Sequence, residues 1–164
     1  MDRALLIADA STLLNFLRVR RFDLVQGFGL KVRIVDAVYD EVVSEREQLD
    51  RLVEEEVIRV LSLEGEALTG TVARLLSLGL GQGEAFSFAA AVEFNAALAI
   101  DDPRANKRAQ SVASGLIIVT TADIVVASIQ ANRITVAEAD LLKKEWADNH
   151  KFRLTFNSFN DLLE

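Results

Sequence analysis

The sequence predicts a three-layer α/β/α sandwich built around a central parallel sheet of four or five strands. Three observations carry that expectation. Short, continuously apolar runs alternate with longer segments of helical spacing, the pattern of strands buried on both faces and joined by helical crossovers. The connections carry helix punctuation, with proline just inside one helix start at Asp102-Pro103 and glycine past its end at Gly115. With 51% hydrophobic residues among 164, the chain can bury the core of one compact domain and is too short to favour two.

Taken in order, Ala4-Leu5-Leu6-Ile7-Ala8 has no polar break and ends in Asp9, so it reads as the first strand, with a helix over residues 11–19. Residues 32–35 form the second strand and about 36–46 a helix. Glu54-Glu55-Glu56 reads as a solvated run before a third strand at 57–61. Helices at 66–78 and 82–95 flank the turn Gly79-Leu80-Gly81-Gln82-Gly83. A fourth strand at 97–100, a helix from Asp102-Pro103 to Gly115 and a fifth strand at 116–119 follow. Helices at 120–130 and 136–148 lead to a polar-aromatic tail, residues 151–164, which reads as a last strand or a docking segment. No repeat, linker or low-complexity tract interrupts the expected single domain over residues 1–164.

Composition narrows the chemistry. There is no cysteine and one histidine, His150, so disulfides, thiolate sites and multi-histidine zinc sites within one chain are excluded. Oxygen ligands remain, and these suit Mg²⁺ or Mn²⁺. The first residues reach Asp9 too soon for a signal-peptide core, and the apolar stretch 86–100 is broken by Glu93 and Asn95. The expectation is a cytoplasmic protein with no membrane segment. A formal charge of -7 opposes broad binding to nucleic acid through a basic surface. Two divalent ions would add four positive charges and move that balance from -7 to -3.

Four acids stand where apolar elements end or helices begin. Asp9 lies at the carboxyl end of the first strand, where open α/β sheets bind ligands, although it also suits a helix cap. Glu41 borders the apolar face made by Val35, Val38, Tyr39 and Val42, whereas Asp40 points nearly opposite; a solvated acid is the alternative. Glu84 follows Gly81-Gln82-Gly83 and opens a helix apolar almost all round, where the helix dipole alone would also favour an acid. Asp102 precedes proline and suits the cap position, which leaves Asp101 free to serve a site. If the first and fourth strands are neighbours where the strand order reverses, Asp9 and Asp101 face each other across a crevice, and bound cations would relieve their repulsion.

The segments Leu6-Ile7-Ala8-Asp9-Ala10-Ser11, Val38-Tyr39-Asp40-Glu41-Val42, Gly81-Gln82-Gly83-Glu84-Ala85 and Ala99-Ile100-Asp101-Asp102, in this order, resemble the PIN-domain ribonuclease family, which includes VapC-type toxins. The resemblance spans about residues 1–133. It implies that Asp9, Glu41, Glu84 and Asp101 hold Mg²⁺ or Mn²⁺ and that metal-activated water cleaves RNA. It gives Ser11 or Thr12 a supporting role, with Asp102 as cap or support. It also implies a homodimer and, for a toxin, an antitoxin protein that covers the site with a basic side chain. Asp123, in Thr120-Thr121-Ala122-Asp123, reads as a further acid of the family or as a capping-box residue. Residues 134–164 are the less typical part, a C-terminal helix and tail.

Arg104, Lys107 and Arg108 follow the Asp101 turn at helical spacing and are candidates for an RNA phosphate, or else a solvated helix face. The leading expectation is a metal-dependent endoribonuclease. The alternative is a catalytically inactive PIN-like binding or assembly module. A phosphotransfer domain built on Asp9 fits less well, because Asp9-Ala10-Ser11-Thr12 has no second acid two residues on.

Overall fold

The computed structural model describes residues 4–163, the side chains of residues 66 and 67 excepted. Its five strands, β1 (Leu5–Ala8), β2 (Lys31–Val35), β3 (Ile58–Leu61), β4 (Ala97–Ala99) and β5 (Ile118–Val119), form one parallel sheet in the order β3-β2-β1-β4-β5. The helices are α1 (Ala10–Arg18), α2 (Phe22–Gln26), α3 (Asp36–Glu41), α4 (Arg46–Glu54), α5 (Glu66–Ser77), α6 (Gln82–Glu93), α7 (Pro103–Gln110), α8 (Thr121–Gln130) and α9 (Val136–Asn149). Successive strand residues point to opposite faces, yet Leu6 and Ile7 are both fully buried. Both faces of the sheet are therefore covered, and the fold is the expected α/β/α sandwich. Helix α6, buried along most of its length, packs on β1, β2 and β4 and touches α3, α5 and α7. Among the described residues no helix is long and apolar enough to cross a membrane.

The strand order reverses between β1 and β4. Ala8 pairs with Ala99, and Asp9 N donates to Ala99 O at 2.9 Å. The residues that follow these two strands thus emerge side by side at one end of the sheet, where a crevice opens between diverging crossovers.

Several boundaries differ from the sequence expectation. The helix expected over 36–46 breaks at Val42, whose ψ of 94° is extended. Arg46 causes the break: its guanidinium donates to Tyr39 O and Val42 O and lies 3.9 Å over the Tyr39 ring, closing the end of α3. Glu41 is consequently the last residue of its helix. The short α2 and the separate α4 were not expected, and Glu54 to Glu56 are exposed at the end of α4. Helix α7 stops at Gln110, where Val112 N and Ala113 N both turn back to Ala109 O; Gly115 takes its positive φ of 86° beyond that turn.

Among the described residues the tail forms no strand and is docked on the body of the same chain. Apart from residue 164, which lies outside the described residues, it wraps on the body and ends in a 3₁₀ turn over Phe159–Leu162. Trp146 of α9 is fully buried and meets Phe16 and Phe152 edge to face at 5.9 and 5.8 Å. Phe159, also fully buried, meets Phe156 at 4.8 Å. Asp140 accepts from Ser158 Oγ at 2.7 Å and Phe159 N at 2.9 Å. Asn15 O is one of the last four carbonyls of α1, which lack the regular helical partner, and Trp146 Nε1 donates to it at 2.7 Å.

Replacing Trp146 with phenylalanine is expected to cost about 1–3 kcal/mol, because it unpairs that buried carbonyl and leaves a small cavity. Urea unfolding followed by circular dichroism measures it; a midpoint equal to wild type would show that the tail anchor contributes nothing.

Candidate metal centre

A cleft of about 560 Å³ opens at the carboxyl ends of β1 and β4. Five parts of the chain line it: the β1–α1 junction with Asp9 and Ser11, the end of α3 with Glu41, the start of α6 with Glu84, the β4–α7 junction with Asp101 and Asp102, and the tail with Phe152 and Arg153. The four acids singled out in the sequence, separated by up to 92 residues, border this one cleft.

Asp9 is the most enclosed of them at 4% exposure. Ser11 Oγ donates to its Oδ2 at 2.9 Å. Asp9 does not cap α1 through its side chain, so its carboxylate is left to the cleft. Burial drives its pKa up from 3.8 to about 6, and the charges of Glu84 and Glu41 push the same way, against the Ser11 hydrogen bond. A carboxylate buried next to two others is a focus of uncompensated negative charge.

Asp101 is held differently. Its Oδ2 accepts from Thr12 Oγ1 at 2.8 Å, Thr121 Oγ1 at 2.6 Å and Asn15 Nδ2 at 3.4 Å, and its Oδ1 accepts from Thr121 N at 2.8 Å. Asn15 Nδ2 also reaches Thr121 Oγ1 at 3.1 Å. Two helices that follow different strands, α1 after β1 and α8 after β5, thus fix one carboxylate. Of the two hydroxyl residues singled out in the sequence, Thr12 bonds Asp101 and Ser11 bonds Asp9. Asn15 and Thr121 were not singled out in the sequence. Asn15 left a usable signal, a polar residue three after Thr12 on the mostly apolar buried face of α1.

Glu41 reaches from the end of α3 to the start of α6, where Gly83 N donates to its Oε1 at 3.0 Å. Any side chain at 83 would intrude, since a Cβ there would lie 2.4 Å from Glu41 Oε1. Glu84 turns back on its own helix and accepts from Gly81 N at 2.9 Å. Glu84 thus closes the start of its helix and lies near enough to Asp9 for its charge to raise the Asp9 pKa.

Asp102 caps α7, accepting from Arg104 N at 2.8 Å and Ala105 N at 3.3 Å. Asp123 forms a reciprocal capping box with Thr120, at 2.8 and 3.2 Å, and does not line the cleft. Arg104, Lys107 and Arg108 are exposed on α7 and also lie outside the lining. Among the described residues the one cation that lines the cleft is Arg153, from the tail.

As placed, the acids face protein donors, and among the described residues no three of them close into a metal cage. The donor set nevertheless fits a hard divalent cation. It consists of carboxylate oxygens alone, and Asp9 is buried beside like charges.

A parallel α/β/α sandwich with an acidic cleft at its switch point defines a class of proteins that bind their ligands at the carboxyl ends of the strands. The chain belongs within that class to the PIN-domain family: a family model for the PIN domain matches residues 5–164. The match runs through the C-terminal helix and tail, beyond the stretch of about residues 1–133 over which the motifs carry the resemblance. PIN domains are generally nucleases that act on RNA and typically use divalent metals. No curated protein matches the chain.

The raised Asp9 pKa sets a pH dependence. The folded value lies above the unfolded one, so the stabilisation from binding the proton is fully present below about 4 and is lost as pH rises through about 6. The gap corresponds to at most about 3 kcal/mol. In chelator, Asp9→Asn should therefore raise the melting temperature most at pH 8, by about half as much at pH 5, and change it little below about pH 4. A difference independent of pH would contradict the burial of a charged Asp9.

Proposed function

We propose that the chain is a Mg²⁺- or Mn²⁺-dependent endoribonuclease, working as a single domain in the cytoplasm, with Asp9, Glu41, Glu84 and Asp101 as the metal-holding and catalytic acids. The observation that carries this reading is the buried carboxylate of Asp9, pushed up to about 6, in a cleft shared with Glu41, Glu84, Asp101 and Asp102 at the β1–β4 switch point.

A divalent ion bound there would supply Lewis-acid polarisation of the phosphodiester and a water acidic enough to attack it near neutral pH. The chain's own residues prepare the acids for that task. Thr12, Asn15 and Thr121 hold the Asp101 carboxylate in one orientation. Ser11 orients Asp9, and Gly83 N orients Glu41. Asp102 fixes the start of α7, the turn that follows Asp101. Arg104, Lys107 and Arg108 would meet phosphates farther along the strand, beyond the cleft.

A toxin role, an antitoxin partner and a homodimer rest on the VapC-type resemblance. An antitoxin side chain entering this cleft would need to be basic, because negative charge dominates the lining.

Mn²⁺ titration by calorimetry on wild type, Asp9→Asn and Asp101→Asn tests the assignment. Both substitutions should weaken binding by tenfold or more, as loss of a charged ligand would. Absence of binding in wild type, or binding indifferent to both changes, would favour the inactive module. Cleavage of short RNAs should stop in chelator and return with metal.

Gly83→Ala should lower Mn²⁺ affinity about tenfold by displacing the Glu41 carboxylate, on the scale seen when groups supporting a ligand are lost. Its melting temperature should stay near that of wild type, since the crowded atoms are the end of a flexible side chain.

A further inference from the structure

One wall of the cleft is built without acids. Phe152 and Arg153 close it from the tail, just past the end of α9. Their position is fixed from three directions. Lys151 turns the chain at a φ of 54°, Phe152 N donates to Trp146 O at 3.1 Å, and the Phe152 ring stands edge to face on Trp146. Trp146 in turn is anchored to the backbone of Asn15, whose side chain donates to Asp101. Tail wall and acids belong to one connected framework.

Arg153 is exposed and, among the described residues, makes no ion pair, although five acids line the same cleft. A guanidinium left free there suits an anion that enters the cleft, and its planar fork matches a phosphate. Phe152 is half-buried, packed on Trp146 by its edge contact and lining the cleft with surface that remains. An aromatic ring next to a free arginine is the pairing that single-stranded nucleic acid uses, the ring for a base and the cation for its phosphate.

We propose that Phe152 and Arg153 form a nucleotide subsite beside the acidic cluster, with Arg153 on an RNA phosphate and Phe152 stacked on the adjoining base. The proposal rests on the endoribonuclease reading and narrows its substrate to RNA that is single-stranded at that nucleotide. A base within an A-form helix keeps both faces against its neighbours and cannot offer one to a ring.

Fluorescence anisotropy with a short labelled single-stranded RNA tests the subsite, with Mn²⁺ and in chelator, alongside cleavage of the same RNA and of its duplex. Arg153→Ala should weaken binding about tenfold and reduce the slope of log affinity against log salt by about 0.7, the loss of one phosphate contact on a single strand. Arg153→Lys should keep the salt slope. Phe152→Leu, which retains an apolar contact with Trp146, should weaken binding about tenfold with the slope unchanged, whereas Phe152→Tyr should bind as wild type does. Mn²⁺ affinity should be the same in all four variants, which separates the subsite from the metal centre. Cleavage with wild-type affinity and salt slope in Arg153→Ala, or equal binding of duplex and single strand, would overturn the subsite and leave the nuclease standing. Binding that depends on both residues without any cleavage would uphold the subsite and overturn the nuclease. A wild type that neither binds nor cleaves would overturn both.

Discussion

Mutual repulsion of carboxylates gathered at one end of a sheet is the constraint around which this structure is arranged. Parallel pairing of β1 with β4 brings Asp9 and Asp101 to the same crevice, and the ends of α3 and α6 add Glu41 and Glu84. Each acid is met by donors that lower its cost: Ser11 at Asp9, two backbone N–H groups at Glu41 and Glu84, and four hydrogen bonds at Asp101. The compensation is uneven. Asp101 is saturated by protein, whereas Asp9 has one side-chain donor and the deepest burial, so the residual charge concentrates there. A cation is the most direct means of neutralising it, which is why the electrostatics and the nuclease character of PIN domains point the same way.

Asn15 ties this cluster to the rest of the molecule. Its amide serves Asp101 and Thr121, and its carbonyl receives Trp146. Through Trp146 the aromatic tail is locked against α1, which places Phe152 and Arg153 at the cleft. The C-terminal segment, in which Phe152, Leu154 and Phe156 alternate with polar residues as in a strand, is thereby part of the site's architecture. Family membership agrees, since the match extends through residue 164.

Strand and helix alternation was legible because both faces of the sheet are covered, so that runs such as Leu5-Leu6-Ile7-Ala8 carry no polar residue. The proline and the acids at element ends were legible for a similar reason: Asp102 caps α7 because the residue before Pro103 is held out of the helical region. The break after Glu41 was hidden. It depends on Arg46 folding back over Tyr39, a contact that no periodicity records. Thr121 and the place of Arg153 were hidden for the same reason: Thr121 meets Asp101 across 20 residues, and Arg153 reaches the cleft only because the tail folds back to it.

By itself the sequence determined the α/β/α class, the order of the main elements and the identity of four acids at element ends, since burial and helix capping act locally on residue type. Only the tertiary structure decided how those acids are held, which of them bears uncompensated charge, and that the tail's arginine, rather than the three basic residues of α7, lines the cleft. Solvation and hydrogen bonding of a carboxylate depend on groups brought near it from other elements, and those distances exist only after the chain has folded.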